Sequence, residues 1–352
     1  MVLDLILKKG GKVVGKNQPT FIIAEIGQNH QGNIETAKVL IETAKECGAD
    51  CVKFQKTCIT EKYSKSVLQK PYINQNSWGD TYEEHKEHLE FSEEQFIELQ
   101  KFASKIGILF AASPMDFPSL KFLKRMDMPF IKIGSGDCNN LPLIETAAQA
   151  NIPLIVSTGI QNFDMVQSVY QTISAYHKRF CLLHCVSAYP APLEDINLNV
   201  IKLYEEKFPD IIIGYSGHEI GIDISVAAVA LGAKVIERHI TLNHNQKGSD
   251  HICSLEPCEF KLLVQKIRTL EIAMGNPIKE LRPSEVPFSN KFTKSIVLAH
   301  AVRKGHRLSV NDLKIKVALP VGINPSSLNN IIGKIVKRNL TEDESLTYEC
   351  FY

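Results

Sequence analysis

The stretch from residue 211 to residue 240, IIIGYSGHEIGIDISVAAVALGAKVIERHI, constrains the fold more than any other part of the sequence. Residues 211–215 and 235–240 are rich in β-branched side chains, and the apolar run 222–231 between them is typical of a crossover helix on a parallel sheet. The pattern predicts a strand–helix–strand unit whose two strands run in the same direction. Four polar side chains are then expected at the shared carboxyl edge of these strands: Ser216, His218, Glu237 and His239.

The two histidines of this unit, His218 and His239, lie at the ends of neighbouring strands. Imidazoles that converge with open space in front of them indicate a divalent metal that keeps coordination positions for water and substrate. The alternative is a pair of structural histidines whose ring nitrogens are satisfied by hydrogen bonds. The unit by itself leaves both interpretations open.

The same alternation of strand and helix extends over most of the chain. Eight buried strand patterns between residues 21 and 240 are each followed by a helical pattern, which predicts a (β/α)8 TIM barrel of the α/β class. A short N-terminal hairpin, turned at Gly10-Gly11, is expected to cap the barrel. A doubly wound open sheet is the competing fold, but the GQNHQG segment after the first strand does not match the GxGxxG phosphate turn.

The length of the chain and the positions of its glycine and proline residues predict two domains of unequal size. At 352 residues the chain exceeds one ordinary core, and glycine and proline residues mark a change of composition after residue 274. We predict a barrel domain over residues 1–274, a linker over 275–293 and a small, largely irregular domain over 294–352.

Composition and charge argue against several classes of function. The 40 basic and 39 acidic side chains leave no surplus of positive charge for a nucleic acid. No apolar run approaches the roughly 18 residues of a membrane span, and the first residues do not resemble a secretory signal. Nine cysteines without zinc-finger spacing fit a reducing compartment, so we expect a cytoplasmic protein.

One connection of the predicted barrel is unusually long. Residues 57–91, between the second strand and its helix, include the only tryptophan, Trp78, together with several tyrosines and histidines. On the carboxyl face of the barrel this segment is expected to form a substrate lid. A solvated insertion is the alternative.

Polar side chains end every predicted strand, at the face where a (β/α)8 barrel places its chemistry, and His184 ends the sixth. Cys181 and Cys185 of that strand are expected to be core thiols. Lys53 in CVKFQ and Lys132 in FIKIG have apolar neighbours, so both are expected inside the barrel, where a lysine needs a fixed anion. With serines on neighbouring strands, the two lysines suit a phosphate. Ion pairs with Glu25 or Glu237 are the structural alternative for each lysine.

Several long motifs give the sequence a resemblance to a known family. They are FIIAEIGQNHQG at 21–32, KFQK at 53–56, KIGSGDCNN at 132–140, GYSGHE at 214–219, ERH at 237–239 and GSDHICSLEP at 248–257. Together they resemble the sialic acid synthase family over nearly the whole chain, and the details are similar to its animal members. Residues 294–352 resemble the antifreeze-like (SAF) domain of that family.

The resemblance implies a condensation of phosphoenolpyruvate with an N-acylmannosamine, in which phosphate leaves by C–O cleavage. It assigns His218 and His239 to a Mn²⁺ or Mg²⁺ ion, and Glu25 to proton transfer or to positioning of water. The residues implied for phosphoenolpyruvate are Lys53, Ser113, Lys132, Ser135, Ser157 and Ser216. Those implied for the sugar are Gln55, Asp137, Tyr189 and Asp250.

The likeness to animal members implies N-acetylmannosamine 6-phosphate as acceptor and N-acetylneuraminate 9-phosphate as product. Bacterial members commonly have Arg-Ser at the start of the small domain, which reads the N-acyl group of a sugar in the partner subunit, and the resemblance implies Lys294, of Lys294-Ser295, for this contact. Lysine lacks the bidentate fork of arginine, so mannose 6-phosphate is a second candidate acceptor, giving KDN 9-phosphate. A bacterial-type synthase that uses the free sugar is the alternative. A metal-dependent aldolase or isomerase on the same barrel is a more distant one.

Two further expectations concern the sugar phosphate and the assembly. The segment 57–91 offers several side chains that could hold the phosphate: Lys62, Lys65, Lys70, His85, Lys86 and His88. The same segment could instead be a solvated helix with i,i+4 pairs. The linker 275–293 is long enough to reach a second copy, so we expect a homodimer in which each small domain lies over the partner's barrel.

Overall fold

The computed structural model describes residues 4–7 and 12–352. Near the N-terminus, β1 (Leu5–Ile6) pairs antiparallel with β2 (Val13–Val14), as expected for a hairpin. The turn predicted at Gly10-Gly11 lies outside the described residues.

The predicted barrel is present as an eight-stranded sheet. Its strands are β3 (Phe21–Gly27), β4 (Cys51–Lys56), β5 (Leu109–Pro114), β6 (Ile131–Ile133), β7 (Leu154–Ser157), β8 (Phe180–Cys185), β9 (Ile212–Gly217) and β10 (Val235–His239). The hydrogen-bonded order is β5-β4-β3-β10-β9-β8-β7-β6, with parallel pairing, and β6 also lies beside β5. The sheet therefore curves round into the barrel that the alternating pattern predicted.

Each barrel strand is followed by at least one helix. The helices are α1 (Ile34–Glu46), α2 (Ile59–Lys62), α3 (Lys65–Leu68), α4 (Tyr82–Leu89), α5 (Glu93–Ile106), α6 (Phe117–Arg125), α7 (Leu141–Gln149), α8 (Phe163–Ser174), α9 (Leu193–Ile196), α10 (Asn199–Lys207), α11 (Asp223–Ala230) and α12 (Pro257–Met274). Several begin at a side-chain cap. The Ser92 hydroxyl, for example, accepts a hydrogen bond from the backbone N–H of Gln95, and the side-chain oxygen of Gln95 accepts one from the backbone N–H of Ser92. Three helices, α2 to α4, lie within the long connection that the sequence left without assigned elements.

Two layers of apolar side chains hold the barrel. The larger layer lies between the strands and the surrounding helices, and it includes Ile22, Val52 and Leu154. A smaller layer fills the barrel interior near the amino ends of the strands, where Leu5 and Val14 of the hairpin join it. Because the interior is filled from that side, space for a ligand is left at the carboxyl ends.

The chain forms two compact units, Met1–Gly275 and Asn276–Tyr352. In the second unit, β11 (Lys294–Leu298) pairs antiparallel with β12 (Leu313–Val317). The range expected to be a linker contains a helix, α13 (Val286–Phe292), and α14 (Leu328–Ile331) follows later in the chain. A separate set of buried residues forms the core of this unit: Ile296, Leu298, Val302, Leu308, Ile323, Ile331, Val336, Leu340, Leu346, Cys350 and Phe351.

None of the helices in the described part of the chain is long and apolar enough to span a membrane.

Candidate active site

A cavity of about 510 Å³ opens at the carboxyl ends of the barrel strands. Twelve of the residues predicted for the site line it: Glu25, Lys53, Gln55, Ser113, Lys132, Ser135, Asp137, Ser157, Tyr189, Ser216, His218 and His239. Two do not. Asp250 lies just outside, with its Oδ2 atom 3.9 Å from Nδ1 of His239. Lys294 is exposed at the start of β11 in the second unit.

The register of the parallel strands explains why distant residues meet in the cavity. Lys53 on β4 is level with Glu25 on β3, and Glu25 is level with His239 on β10. On the other side of β10, Glu237 is level with Ser216 on β9. Glu237 and His239 are two residues apart on β10 and so point to the same face, which brings both sets of side chains to the carboxyl end of the barrel interior.

Two buried lysines make the cavity a strong anion site. The Nζ atom of Lys53 lies 2.7 Å from Oε2 of Glu25 and donates to Ser113 Oγ at 3.2 Å. The Nζ atom of Lys132 donates to Ser157 Oγ at 2.6 Å, and both lysines lie 3.7 Å from Oε1 of Glu237. The ion pairs that the sequence left open are therefore formed. They place the two ammonium groups and the two serine hydroxyls around one interior space.

Burial and mutual charge separate the pKa values of these groups. Desolvation lowers the pKa of Lys132, whereas the carboxylates of Glu237 and Glu25 hold the pKa of Lys53 above its usual value despite burial. Desolvation raises the pKa of Glu25, while Lys132 and Lys53 overcome the same effect at Glu237 and lower its pKa. Two neighbouring carboxyl groups with opposite shifts suit different roles, and Glu25 is the better candidate for accepting a proton.

The two histidines have the donor chemistry that a divalent metal requires. Their ring centroids are 5.5 Å apart, and His218 donates its Nδ1 hydrogen to the carbonyl of Val186 at 2.8 Å, which leaves Nε2 as a ligand atom. Nδ1 of His239 is buried and has no hydrogen-bond partner among the described residues, and burial lowers the pKa of this ring to about 3. Both rings thus fit metal ligation better than the alternative of satisfied structural histidines.

The protein would supply few ligands to such an ion. In residues 4–7 and 12–352, no group of three or more His, Cys, Asp or Glu side chains is arranged to hold a metal. A site with two histidines leaves most coordination positions to water or substrate.

The structure corrects the predicted environments of His184 and Cys185 and shows the surroundings of Glu237. His184 was placed among the polar strand ends, but its Nε2 atom contacts the carbonyl of Ile196 at 2.6 Å and the ring does not line the cavity. Cys185, which was expected to be a core thiol, lines the cavity instead and lies 3.8 Å from Nδ1 of His218. Glu237 lies at the carboxyl edge, as predicted, and its Oε1 atom is 3.7 Å from the Nζ atoms of both lysines.

The long connection between β4 and α5 forms part of the cavity wall. It contributes Glu61, Lys62 and Tyr63, next to Asp116 and Asn140 from later loops. Of these residues the sequence indicates only Lys62, as one of six candidates for the sugar phosphate, because no periodic pattern in residues 57–91 shows which side chains turn inward. Their presence favours the lid interpretation of this segment over a purely solvated insertion.

Fold and cavity together define a (β/α)8-barrel enzyme site that suits a small anionic substrate and has His218 and His239 beside it. Residues 40–279 match the NeuB family and residues 293–351 match the SAF domain. The chain therefore belongs to the NeuB family.

Individual relatives agree with this assignment over almost the full length. The chain is 50% identical to human N-acetylneuraminate-9-phosphate synthase over 339 residues, which are 96% of this chain and 94% of that protein. It is 45% identical to the enzyme of the same name from Drosophila melanogaster, with 98% of each chain covered. It also resembles the crystal structure of the N-acetylneuraminic acid synthetase from Leptospira borgpetersenii, with 32% identity, a TM-score of 0.73, and coverage of 83% of this chain and 98% of the other.

Proposed function

We propose that the protein condenses phosphoenolpyruvate with N-acetylmannosamine 6-phosphate to give N-acetylneuraminate 9-phosphate and inorganic phosphate. The observation that carries this proposal is the pair of buried lysines, Lys53 and Lys132, in the same cavity as His218 and His239. A small trianion such as phosphoenolpyruvate would satisfy both ammonium groups. The human and Drosophila relatives are named as synthases of the same product, N-acetylneuraminate 9-phosphate.

The lysines and serines would bind and orient phosphoenolpyruvate. Lys53 and Lys132 offer charge-assisted hydrogen bonds, and hydroxyls of Ser113 and Ser157 already lie within hydrogen-bond distance of their Nζ atoms. Ser135 and Ser216 line the same cavity and would complete the cradle. Held in this way, the methylene carbon faces the aldehyde of the sugar, and the two reactants are positioned for bond formation.

Glu25 would accept the proton that the attacking water loses. The methylene carbon of phosphoenolpyruvate bonds to the aldehyde carbon, the aldehyde oxygen gains a proton, and water adds to C2 as it loses one. The bond between C2 and the bridging oxygen then breaks and phosphate leaves. The raised pKa of Glu25, caused by desolvation, suits a group that accepts a proton and returns it. A divalent ion held by His218 and His239 would polarise the aldehyde oxygen.

The sugar would be held near the mouth of the cavity. Gln55 donates from Nε2 to Oε1 of Glu25 at 2.9 Å, so its amide is already fixed beside the proposed base. Tyr189 packs on His218 with ring centroids 4.1 Å apart. Together with Asp137 and Asp250, these groups offer donors and acceptors to the hydroxyls of a sugar chain.

One experiment separates this function from its alternatives. Phosphate release from phosphoenolpyruvate would be measured with N-acetylmannosamine 6-phosphate, N-acetylmannosamine and mannose 6-phosphate in parallel. We expect the highest kcat/KM for the first sugar. Equal efficiency with unphosphorylated N-acetylmannosamine would favour the bacterial-type synthase instead. Turnover of mannose 6-phosphate to KDN 9-phosphate would fit the presence of Lys294 where an arginine fork is expected.

The assembly and location of the enzyme are part of the same proposal. A homodimer in which the small domain covers the partner's barrel is supported by the apolar side chains that the second unit exposes before β11, including Leu281, Phe288 and Phe292. A cytoplasmic location is supported by the nine cysteines, all of which are free.

A further inference from the structure

The connection between β4 and α5 carries two lysines, Lys62 and Lys86, near the carboxyl ends of the barrel strands. Lys62, the last residue of α2, lines the cavity wall. Lys86 belongs to α4, and its Nζ atom donates to the side-chain oxygen of Gln28 at 3.1 Å. Gln28 follows β3 directly, so this bond ties the connection to the barrel mouth. Both lysines are thus held in place rather than extended into solvent.

Neither lysine has a carboxylate partner in the described part of the chain. Lys62 contacts the sulfur of Met115 and the ring of Tyr63, and Lys86 contacts Gln28 and the ring of Tyr82. The other inward lysine of this region behaves differently, since Lys56 forms an ion pair with Glu90 at 2.6 Å. Two partly buried ammonium groups without a counterion are costly unless an anion joins them.

The two ammonium groups lie over neighbouring rings. Lys62 lies over Tyr63 and Lys86 over Tyr82, and the centroids of these two rings are 5.3 Å apart. Burial and, to a smaller extent, the charge of Lys62 lower the pKa of Lys86 to about 8, against the opposing charges of Asp250 and Glu90. Burial also lowers the pKa of Lys62, although Asp137, Asp116 and Glu90 lie near enough to oppose that shift. An anion between the lysines would remove this repulsion.

The other basic residues of the connection are unsuited to this role. Lys65 and Lys70 are exposed. His85 accepts a hydrogen bond from the backbone of Trp78, and burial lowers its pKa to about 4, so it carries no charge at neutral pH. His88 stacks on Trp78 with ring centroids 4.2 Å apart.

The phosphate of phosphoenolpyruvate already has its own pair of lysines. Lys53 and Lys132 lie on interior strands, whereas Lys62 and Lys86 belong to the connection above the mouth. A second cationic pair therefore indicates a second anionic group, carried by the other substrate.

We propose that Lys62 and Lys86 bind the 6-phosphate of the acceptor sugar and so determine the preference for a phosphorylated over a free sugar. This inference rests on the proposed function and specifies the part of the site that selects the acceptor. A dianionic phosphate has three oxygens, enough to accept from both ammonium groups at once.

The test compares matched Lys→Met variants, which keep most of the apolar stem and remove the charge. Lys62→Met and Lys86→Met would each be assayed with N-acetylmannosamine 6-phosphate and with the free sugar, at saturating phosphoenolpyruvate. We expect KM for the phosphorylated sugar to rise about tenfold or more in each variant, with little change in kcat/KM for the free sugar. Lys65→Met and Lys70→Met, from exposed positions of the same connection, should match the wild type.

Each other result has a definite meaning. An unchanged KM for the phosphorylated sugar in both variants overturns the inference and leaves the proposed function intact. An equal loss with both sugars also overturns it, because it indicates a structural role for the connection. If the wild-type enzyme has the same kcat/KM for the phosphorylated and the free sugar, the proposed function is wrong, and so is the inference that rests on it.

Discussion

Arg238 and Glu219 form a fully buried ion pair, with Nη1 donating to Oε1 at 2.7 Å, and each residue is the sequence neighbour of one of the two site histidines. Glu219 follows His218, and Arg238 precedes His239. Tyr215 donates its hydroxyl to Oε2 of Glu219 at 2.7 Å, which fixes the carboxylate from the other side. The pair therefore links the ends of β9 and β10 and holds the two imidazoles in a fixed relation.

Breaking this pair should destabilise the protein strongly. Arg238→Met leaves the carboxylate of Glu219 buried without its cation, and loss of one partner of a buried pair costs about 3–5 kcal/mol. Urea unfolding followed by circular dichroism measures the effect. Arg282→Met is the control, because Arg282 pairs with Glu280 at an exposed position, where an ion pair is worth less than about 1 kcal/mol. Equal midpoints for the two variants would show that the buried pair contributes little.

Removal of a histidine ligand should abolish metal binding. His239→Ala deletes a neutral imidazole whose Nδ1 atom has no hydrogen-bond partner among the described residues, so no hydrogen bond from that atom is lost with it. We expect chelator to abolish turnover of the wild type, Mn²⁺ to restore it, and His239→Ala to show no Mn²⁺ binding in equilibrium dialysis.

The control for metal binding is His177→Ala. His177 lies in the turn before β8, at the amino end of the barrel and away from the cavity, so this variant should bind Mn²⁺ normally. If His239→Ala kept both its metal and its metal-dependent activity, the ligand assignment would be wrong.

Glu25→Gln should slow the chemical step more than it weakens binding. The substitution keeps an oxygen to accept from Gln55 but cannot take a proton, and loss of a general base costs about 100-fold or more in kcat. Binding of phosphoenolpyruvate, measured by calorimetry, should persist because Lys53 and Lys132 remain. A variant with wild-type kcat would exclude Glu25 as the base.

The sequence predicted the barrel and most of the residues that line the cavity. The strands are apolar runs, and the charged or polar residues within them or at their ends mark the cavity. Lys53 and Lys132 are single charged residues in apolar strands, and a barrel leaves them only the interior carboxyl end. His218 and His239 end adjacent strands of one βαβ unit, so topology alone brings them together.

The misassigned residues had no such signal. In β8 every residue is buried, so no alternation of polar and apolar side chains distinguishes the face of His184 from that of Cys185. Cys181 and Leu183 pack in the barrel interior, which puts Cys185 inside and His184 outside. Side chains alternate between the two faces of a strand, but this alternation assigns His184 and Cys185 to a face only when the face of one residue in the strand is known.

Contacts that depend on three-dimensional packing were also beyond the sequence. The Arg238–Glu219 pair joins two elements through side chains that the ERH and GHE motifs do not mark as partners. Only the structure explains why residue 217 is a glycine. A Cβ atom added at Gly217 would lie 2.4 Å from Oε2 of Glu219. A side chain at this position would displace the carboxylate that holds Arg238.

Activity should depend on assembly if the small domain completes the site of a partner. Sedimentation of the full chain is expected to show a dimer, and specific activity should fall on dilution to concentrations where the dimer dissociates. Truncation at residue 285, which removes α13 and the SAF domain, should abolish most activity. A monomer with full activity at nanomolar concentration, or a fully active truncated protein, would contradict the proposed assembly.

The affinity for the phosphorylated sugar should weaken as pH rises above about 8. Burial lowers the pKa of Lys86 to about 8, and its charged form is the one that binds phosphate, so binding is retained below that pH and lost above it. The phosphate is a dianion throughout, since its second pKa is about 6. Between pH 7 and pH 9 we expect KM for N-acetylmannosamine 6-phosphate to rise by up to about tenfold, at saturating phosphoenolpyruvate.

The Lys86→Met variant tests the origin of that rise. The groups that act on Lys86 are Lys62, Asp250 and Glu90, and Lys62 is the one other cation among them. In Lys86→Met the KM for the phosphorylated sugar should be high at pH 7 and nearly constant to pH 9. A variant that keeps the wild-type increase would place the titrating group elsewhere, and Lys62→Met would then be the variant to compare.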